Sequence, residues 1–203
     1  MAKTKKKPHR QSIMGRSDIP FTQRLRMQQS HDIRANRGYA ARITLYIISV
    51  ALHECEGIGY RRLGRFAQRY RALEDEFYED PEVGMAHAAQ RMAQLGLPIS
   101  GEFFVAPDTG SKRQNALDTH ALQATQVAQI VAAVAMNDEF GFGPERQKRI
   151  RDRIGELARQ YRDEGTGFLL AKMEAIGFPV VDGVAMVYLD QDGNAVRPGK
   201  EKR

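Results

Sequence analysis

At 203 residues, with 42% hydrophobic residues, 8% aromatics and no tryptophan, the chain can bury one large core or two small ones built mainly from aliphatic side chains. Its longest apolar runs, 43–52 and 127–136, fall short of the roughly 20 residues a membrane helix needs, and a single cysteine, Cys55, excludes an internal disulfide framework and a cysteine-rich zinc site. The net charge of +6 is unevenly placed: residues 1–42 hold 11 Lys/Arg against Asp18 and Asp32, whereas the remainder carries 20 basic and 23 acidic residues. No apolar stretch follows the basic start MAKTKKKPHR, so the chain reads as soluble and intracellular rather than secreted.

Residues 1–19 lack hydrophobic periodicity and read as a disordered basic arm carrying Lys3, Lys5, Lys6, Lys7, Arg10 and Arg16. Such an arm is the electrostatic footprint of a polyanion partner, most often nucleic acid; a solubilising tail is the plainer alternative. Residues 20–38 predict a separate helix that starts at Pro20, ends near Gly38 and adds Arg24 and Arg26 to the basic set. Residues 39–107 form a first helical unit. An apolar helix over about 40–56 stops at Gly57, a C′ position that takes positive φ without steric penalty, and Ile58 turns back into the core. The next helix places Leu63, Phe66, Tyr70, Leu73 and Phe77 on one face at spacings of 3 and 4, with Arg61, Arg62, Arg65, Arg69 and Arg71 on the other. A third helix over 82–95 ends at Gly96, Pro98 blocks its continuation, and SGEFFVA is β-prone.

A linker (108–115) leads to a second unit, 116–197, of the same pattern. An apolar helix to Phe140 is followed by Gly141, and Gly143-Pro144-Glu145 reads as N-cap, N1 and N2 of the next helix. A short helix over 167–176 follows, then a hairpin in which VAMVYL and NAVRP flank the turn DQDG; residues 198–203 form a basic tail. Sliding the chain by 84 positions aligns 51–77 with 135–161, identical at seven of 27 positions, including Gly57/Gly141, Gly59/Gly143, Arg62/Arg146, Arg65/Arg149 and Arg69/Arg153. After a three-residue deletion, MAQLGLPI (92–99) matches MEAIGFPV (173–180). The expected architecture is mainly α. Two tandem helical units, each with a short β-hairpin, would be related by a pseudo-twofold axis, share a core through their central helices, and carry the basic N-terminal arm.

The two Gly-x-Gly turns resemble the DNA-binding helix-hairpin-helix motif. Gly57-Ile58-Gly59 is followed by Leu63 and Phe66, and Gly141-Phe142-Gly143 by Gln147 and Ile150. The resemblance implies that backbone amides at the second helix's start hold a phosphate, with Arg61 and Arg62 adding charge. It departs at the motif's small position, where Leu63 and Gln147 are bulkier, and Glu56 and Glu145 set negative charge nearby. A capped turn without a ligand is the alternative. The arginines at i, i+3 and i+7 (Arg62, Arg65 and Arg69; Arg146, Arg149 and Arg153) form a stripe for reading phosphates, or else a salt-bridged face paired with acids such as Glu74, Asp75, Asp152 and Glu156.

No metal, cofactor or catalytic site is expected. His53-Glu54-Cys55-Glu56 has the counterpart Asn137-Asp138-Glu139-Phe140, which shares only an acid, with no HExxH spacing. The stretch from Asp190 to Glu201 places Asp190, Asp192, Asn194 and Glu201 at calcium-loop positions, yet Ala195 stands at the glycine position and Pro198 interrupts. The unit Phe140-Gly141-Phe142-Gly143 with Arg146, its first-unit equivalent and the basic leader are similar to small uncharacterised bacteriophage and prophage proteins, which implies a bacterial cytoplasmic setting. The expected function is non-enzymatic nucleic-acid binding with little sequence specificity. A protein-interaction module, such as an anti-defence or host-takeover inhibitor docking on a host protein that handles nucleic acid, is the alternative, and a structural or assembly role is the third reading.

Overall fold

Leucine, isoleucine, alanine and tyrosine at helical spacing from Tyr39 onward carry α1 (Phe21–Glu56) through 36 residues in the computed structural model, which describes residues 21–79, 81–96, 112–190 and 195–196. Then come α2 (Tyr60–Glu79), α3 (Pro81–Gln94), α4 (Lys112–Phe140), α5 (Pro144–Glu164) and α6 (Thr166–Ile176). Four two-residue strands close the order: β1 (Val180–Val181), β2 (Val184–Ala185), β3 (Tyr188–Leu189) and β4 (Ala195–Val196). The molecule is mainly helical, as expected. The basic arm, the SGEFFVA segment of the first unit and the basic tail lie outside the described residues.

The separate helix expected over 20–38 is corrected: α1 runs through Gly38 without a break. A glycine inside a helix costs about 1 kcal/mol relative to alanine, and no proline follows to turn that cost into a stop. The interhelical turns form as the glycines dictate. Gly57 (φ +63°) donates to His53 O at 2.9 Å and Gly141 (φ +66°) to Asn137 O at 2.8 Å. Ile58 and Phe142 reach Leu52 O and Met136 O, six residues back, and both side chains are buried. Gly143 is the N-cap of α5 with Pro144 at its start and Glu145 in the first turn.

The central helices α1 and α4 run side by side in the same direction, with Asn36 Nδ2, mid-way along α1, donating to Leu117 O (3.0 Å) near the start of α4. Both are apolar over much of their surface, and Ala51, Leu52, Ala132 and Ala135 are wholly enclosed. The covering helices are exchanged: α5 and α6 pack on α1, while α2 and α3 pack on α4. One continuous core results, containing the expected stripe Leu63, Phe66, Tyr70, Leu73 and Phe77; on α5, Ile150, Ile154 and Leu157 join it and Tyr161 packs against it partly buried.

Two antiparallel hairpins close the C-terminal side. The sequence reading placed one of them, β3–β4, pairing Tyr188 with Val196 and Leu189 with Ala195. It missed β1–β2, whose turn is Asp182-Gly183, both at positive φ. Two tyrosines fasten these strands to the helices. Tyr46 Oη receives Ala185 N–H (2.9 Å), and Tyr60 Oη receives Tyr188 N–H (3.1 Å) while donating to Val196 O (3.0 Å). The close approach of β4 to α2 requires glycine at position 64, since a Cβ there would run into Ala195 Cβ.

Gly38 and Gly64 therefore predict opposite responses to the same substitution. Gly38→Ala meets nothing within 4 Å and should add up to about 1 kcal/mol, raising Tm by about 2–4 °C. Gly64→Ala should cost about 1–3 kcal/mol through overpacking and lower Tm, as read by thermal unfolding of the two variants side by side.

Candidate nucleic-acid interface

The candidate site lies where the glycine turns deliver the arginine-bearing helices α2 and α5. The turn carbonyls are held from within. His53 Nδ1 lies 3.1 Å from Ile58 O, and Asn137 Nδ2 donates to Phe142 O at 3.3 Å. These two side chains stand 84 positions apart and do the same work. In the second turn, buried Gln147 donates through Nε2 to both Phe142 O and Ala133 O at 3.0 Å. The bulk at that position thus has a structural use: Gln147 ties turn to central helix, and Leu63, its counterpart, is simply core.

The shared acids are the second structural device. Asp138, at the end of α4, accepts from Arg69 of α2 (Nε, 2.8 Å) and from Arg91 of α3 (2.5 Å). Glu54, near the end of α1, accepts from Arg153 of α5 (2.7 Å) and Lys172 of α6 (2.6 Å). Each acid is clamped by the second and third helices of the other unit. Burial alone would raise both carboxyls, but the hydrogen bonds from these cations outweigh it and hold each below its ordinary value. Arg153 also pairs with Glu156 (2.5 Å), and these two acids push its guanidinium further up.

The arginine stripe is consequently divided. Arg65 pairs with Glu139 (2.8 Å) and Arg149 with Glu56 (2.9 Å), so four of the six stripe arginines hold carboxylates, including Arg69 and Arg153. The partners are mostly acids of the other unit rather than the neighbouring Glu74, Asp75 or Asp152. Arg146 lies over its own turn's Phe142 ring, 5.4 Å from the centroid. Arg62 crosses to Phe140 of the other unit at 5.1 Å, and Phe140 stacks on Phe66. Arg61 forms no ion pair among the described residues.

Arg61, Arg62 and Arg65 line one wall of a cleft of about 490 Å³, with Asp190, Ala195 and Val196 on the other. The turn glycines Gly57 and Gly59 adjoin that cleft in sequence; Gly141 and Gly143 lead instead to exposed Pro144 and Glu145. Lys3, Lys5, Lys6, Lys7, Arg10 and Arg16 lie outside the described residues, and Arg24 and Arg26 are placed only as positions on α1. Among the described residues, no group of three His, Cys, Asp or Glu side chains gathers as a metal ligand set, and no helix is long and apolar enough to cross a membrane. No family model, curated protein or solved structure matches this chain.

Sequence reasoning missed the exchanged clamps, although the signal was present. The 84-residue offset pairs Glu54 with Asp138 and Arg69 with Arg153, and the offset of 81 after the deletion pairs Arg91 with Lys172. Three matched pairs of charges, one acidic and two basic, are the mark of an ion-pair network.

The clamps set an acid response. Because both folded carboxyls lie below their unfolded values, their contribution is fully present above about pH 4 and is lost as pH falls through the folded values. The double variant Glu54→Gln/Asp138→Asn should lose about 2 kcal/mol at neutral pH and show a flatter stability curve between about pH 5 and 3. Glu74, raised by burial, titrates with the opposite sign in both proteins. The readout is therefore the difference between their urea-unfolding free energies at each pH.

Proposed function

We propose that this protein is a non-enzymatic nucleic-acid-binding accessory protein of phage or mobile-element origin, acting in the bacterial cytoplasm with little sequence specificity. The observation that carries the reading is the pair Arg61 and Arg62. Both are exposed at the first turn of α2, beside a positive-φ glycine turn, and neither holds a carboxylate among the described residues. Phosphate contacts of this kind, joined to a basic leader, give affinity without base readout. The four arginines already held in ion pairs are the weaker candidates, so the first turn rather than the second is the proposed contact.

The proposal includes a pseudo-twofold relation between the two units. It is supported by the same set of turn hydrogen bonds at Gly57 and Gly141 and by the reciprocal clamps on Glu54 and Asp138. A protein partner is the second reading, favoured by one observation. The hairpins expose Val181, Met186, Tyr188, Leu189 and Val196 on the C-terminal side, more apolar surface than a free hairpin needs.

The test is binding to a labelled duplex and a labelled single strand across about 50 to 200 mM salt. The full chain should bind with a steep salt slope, and Arg61→Ala/Arg62→Ala should reduce that slope by about 2, near 0.9 for each phosphate no longer neutralised. Arg149→Ala, which removes an arginine already paired with Glu56, should change the slope far less. No binding at the lowest salt, or an unchanged slope in the double variant, overturns the reading.

A further inference from the structure

A second cavity, of about 400 Å³, lies between α1, α4 and α5, away from the arginine cleft. Its volume falls in the range of small-molecule pockets, about 300–1,000 Å³. The walls are apolar: Ile43 and Ile47 of α1, Ala121 of α4, and Ile154 and Ala158 of α5. Thr44, which also lines it, donates its hydroxyl to Ala40 O (2.8 Å) and so presents a methyl-bearing, satisfied side chain.

Thr125 and Gln129 also line the cavity, and the other polar groups gather at one end. Asn36, Tyr39, Asp118, Tyr161 and Arg162 surround that mouth. Tyr39 Oη lies 3.1 Å from Tyr161 Oη and 2.9 Å from Thr166 Oγ1, which fixes the two phenols relative to each other. Burial pushes the Tyr161 hydroxyl up to about 12, so it stays protonated. Arg162 has no carboxylate partner among the described residues.

The hollow is particular to the second unit. At the positions 84 residues earlier, α2 carries Tyr70 for Ile154, Glu74 for Ala158 and Phe77 for Tyr161, and both Tyr70 and Phe77 are buried. At two of these three positions, Ile154 for Tyr70 and Ala158 for Glu74, the second unit has the smaller side chain.

We infer that this cavity binds a small neutral amphiphile, an apolar body of roughly eight carbons carrying one amide or hydroxyl head. The apolar walls take the body and disfavour any buried charge. At the mouth a carboxylate, a guanidinium and two phenols sit together. A charged head meets a like charge there as well as an opposite one and gains little on balance, whereas a neutral head that both donates and accepts suits the mixed mouth. The inference stands independently of nucleic-acid binding.

Octanamide is the probe, titrated into the full chain carrying ¹³C-labelled isoleucine methyls. Saturable shifts are expected at Ile43, Ile47 and Ile154, with Ile58 and Ile150, which do not line the cavity, unmoved. Ala158→Phe should plug the site and weaken octanamide at least tenfold, and Ile154→Tyr, which installs the counterpart residue, should do the same if the first variant does not fold. Unmoved Ile58 and Ile150 methyls certify that a variant is folded. Absence of saturable shifts up to the solubility limit, or unchanged affinity in a folded plugged variant, overturns the site. Octanoate or octylamine binding as tightly as octanamide overturns the neutral head.

Discussion

Two apolar helices lying side by side in the same direction, α1 against α4, are the constraint on which the other elements depend. Each is apolar around most of its circumference, so neither is satisfied by packing on its neighbour alone. The remaining flanks must be covered, and a turn of three residues between α1 and α2, or between α4 and α5, fixes where the cover can come from. A chain reversing that sharply is thrown across the central pair, so α2 and α3 cover α4 while α5 and α6 cover α1. Gly57 and Gly141 at positive φ are what make so short a reversal possible. The clamps on Glu54 and Asp138 then fasten each crossing near the C-terminal ends of α1 and α4.

The amount of fold legible in the sequence follows from this geometry. Local features wrote themselves plainly: the glycine C′ positions, the Gly-Pro-Glu helix start, the 3- and 4-spaced stripe of α2 and the hairpin across 190–194 are decided by residues within a few positions of one another. The continuity of α1 through Gly38 was not legible, because a glycine marks a stop only when the following residues decline to continue the helix, and here they continue it. The exchange of covering helices was hidden for a different reason. An amphipathic stripe states that a face is buried but not against which helix. The clues to the partner lay in charges separated by 69 and 99 residues, which only the internal alignment brings together. The asymmetric cavity was recoverable only by comparing side-chain volumes between aligned positions.

The arginines of α2 and α5 divide between those held in ion pairs with the fold's acids and those left out of them. Arg65 and Arg149 are more than half exposed in their pairs with Glu139 and Glu56, where an ion pair contributes about 0–1 kcal/mol. Such pairs are weak enough for a polyanion offering several phosphates to compete with them. Arg91, Arg153 and Lys172 are less exposed and act on acids that already hold helix ends together, so drawing them away would loosen the fold itself. Arg61 and Arg62 carry neither obligation. A gradient from free to committed arginines therefore runs along the α2 and α5 faces. The proposed phosphate contact falls at the free end, where it would displace no ion pair.

Positions that agree between the two units have structural work in both: Gly57 and Gly141 turn the chain, His53 and Asn137 hold a turn carbonyl, and Glu54 and Asp138 receive the clamps. The differences have another character. Arg61 stands against Glu145, Tyr70 against Ile154 and Glu74 against Ala158, and none of these changes is needed to build a turn or seat a crossing. They reverse a charge at one surface and empty a volume at another. Under the proposed pseudo-twofold relation, residues that the architecture requires twice are held alike, while residues it does not require are open to differ. The basic lip of the first turn and the hollow beside α5 both fall in that second class. They share no lining residue, so a change in one leaves the chemistry of the other intact.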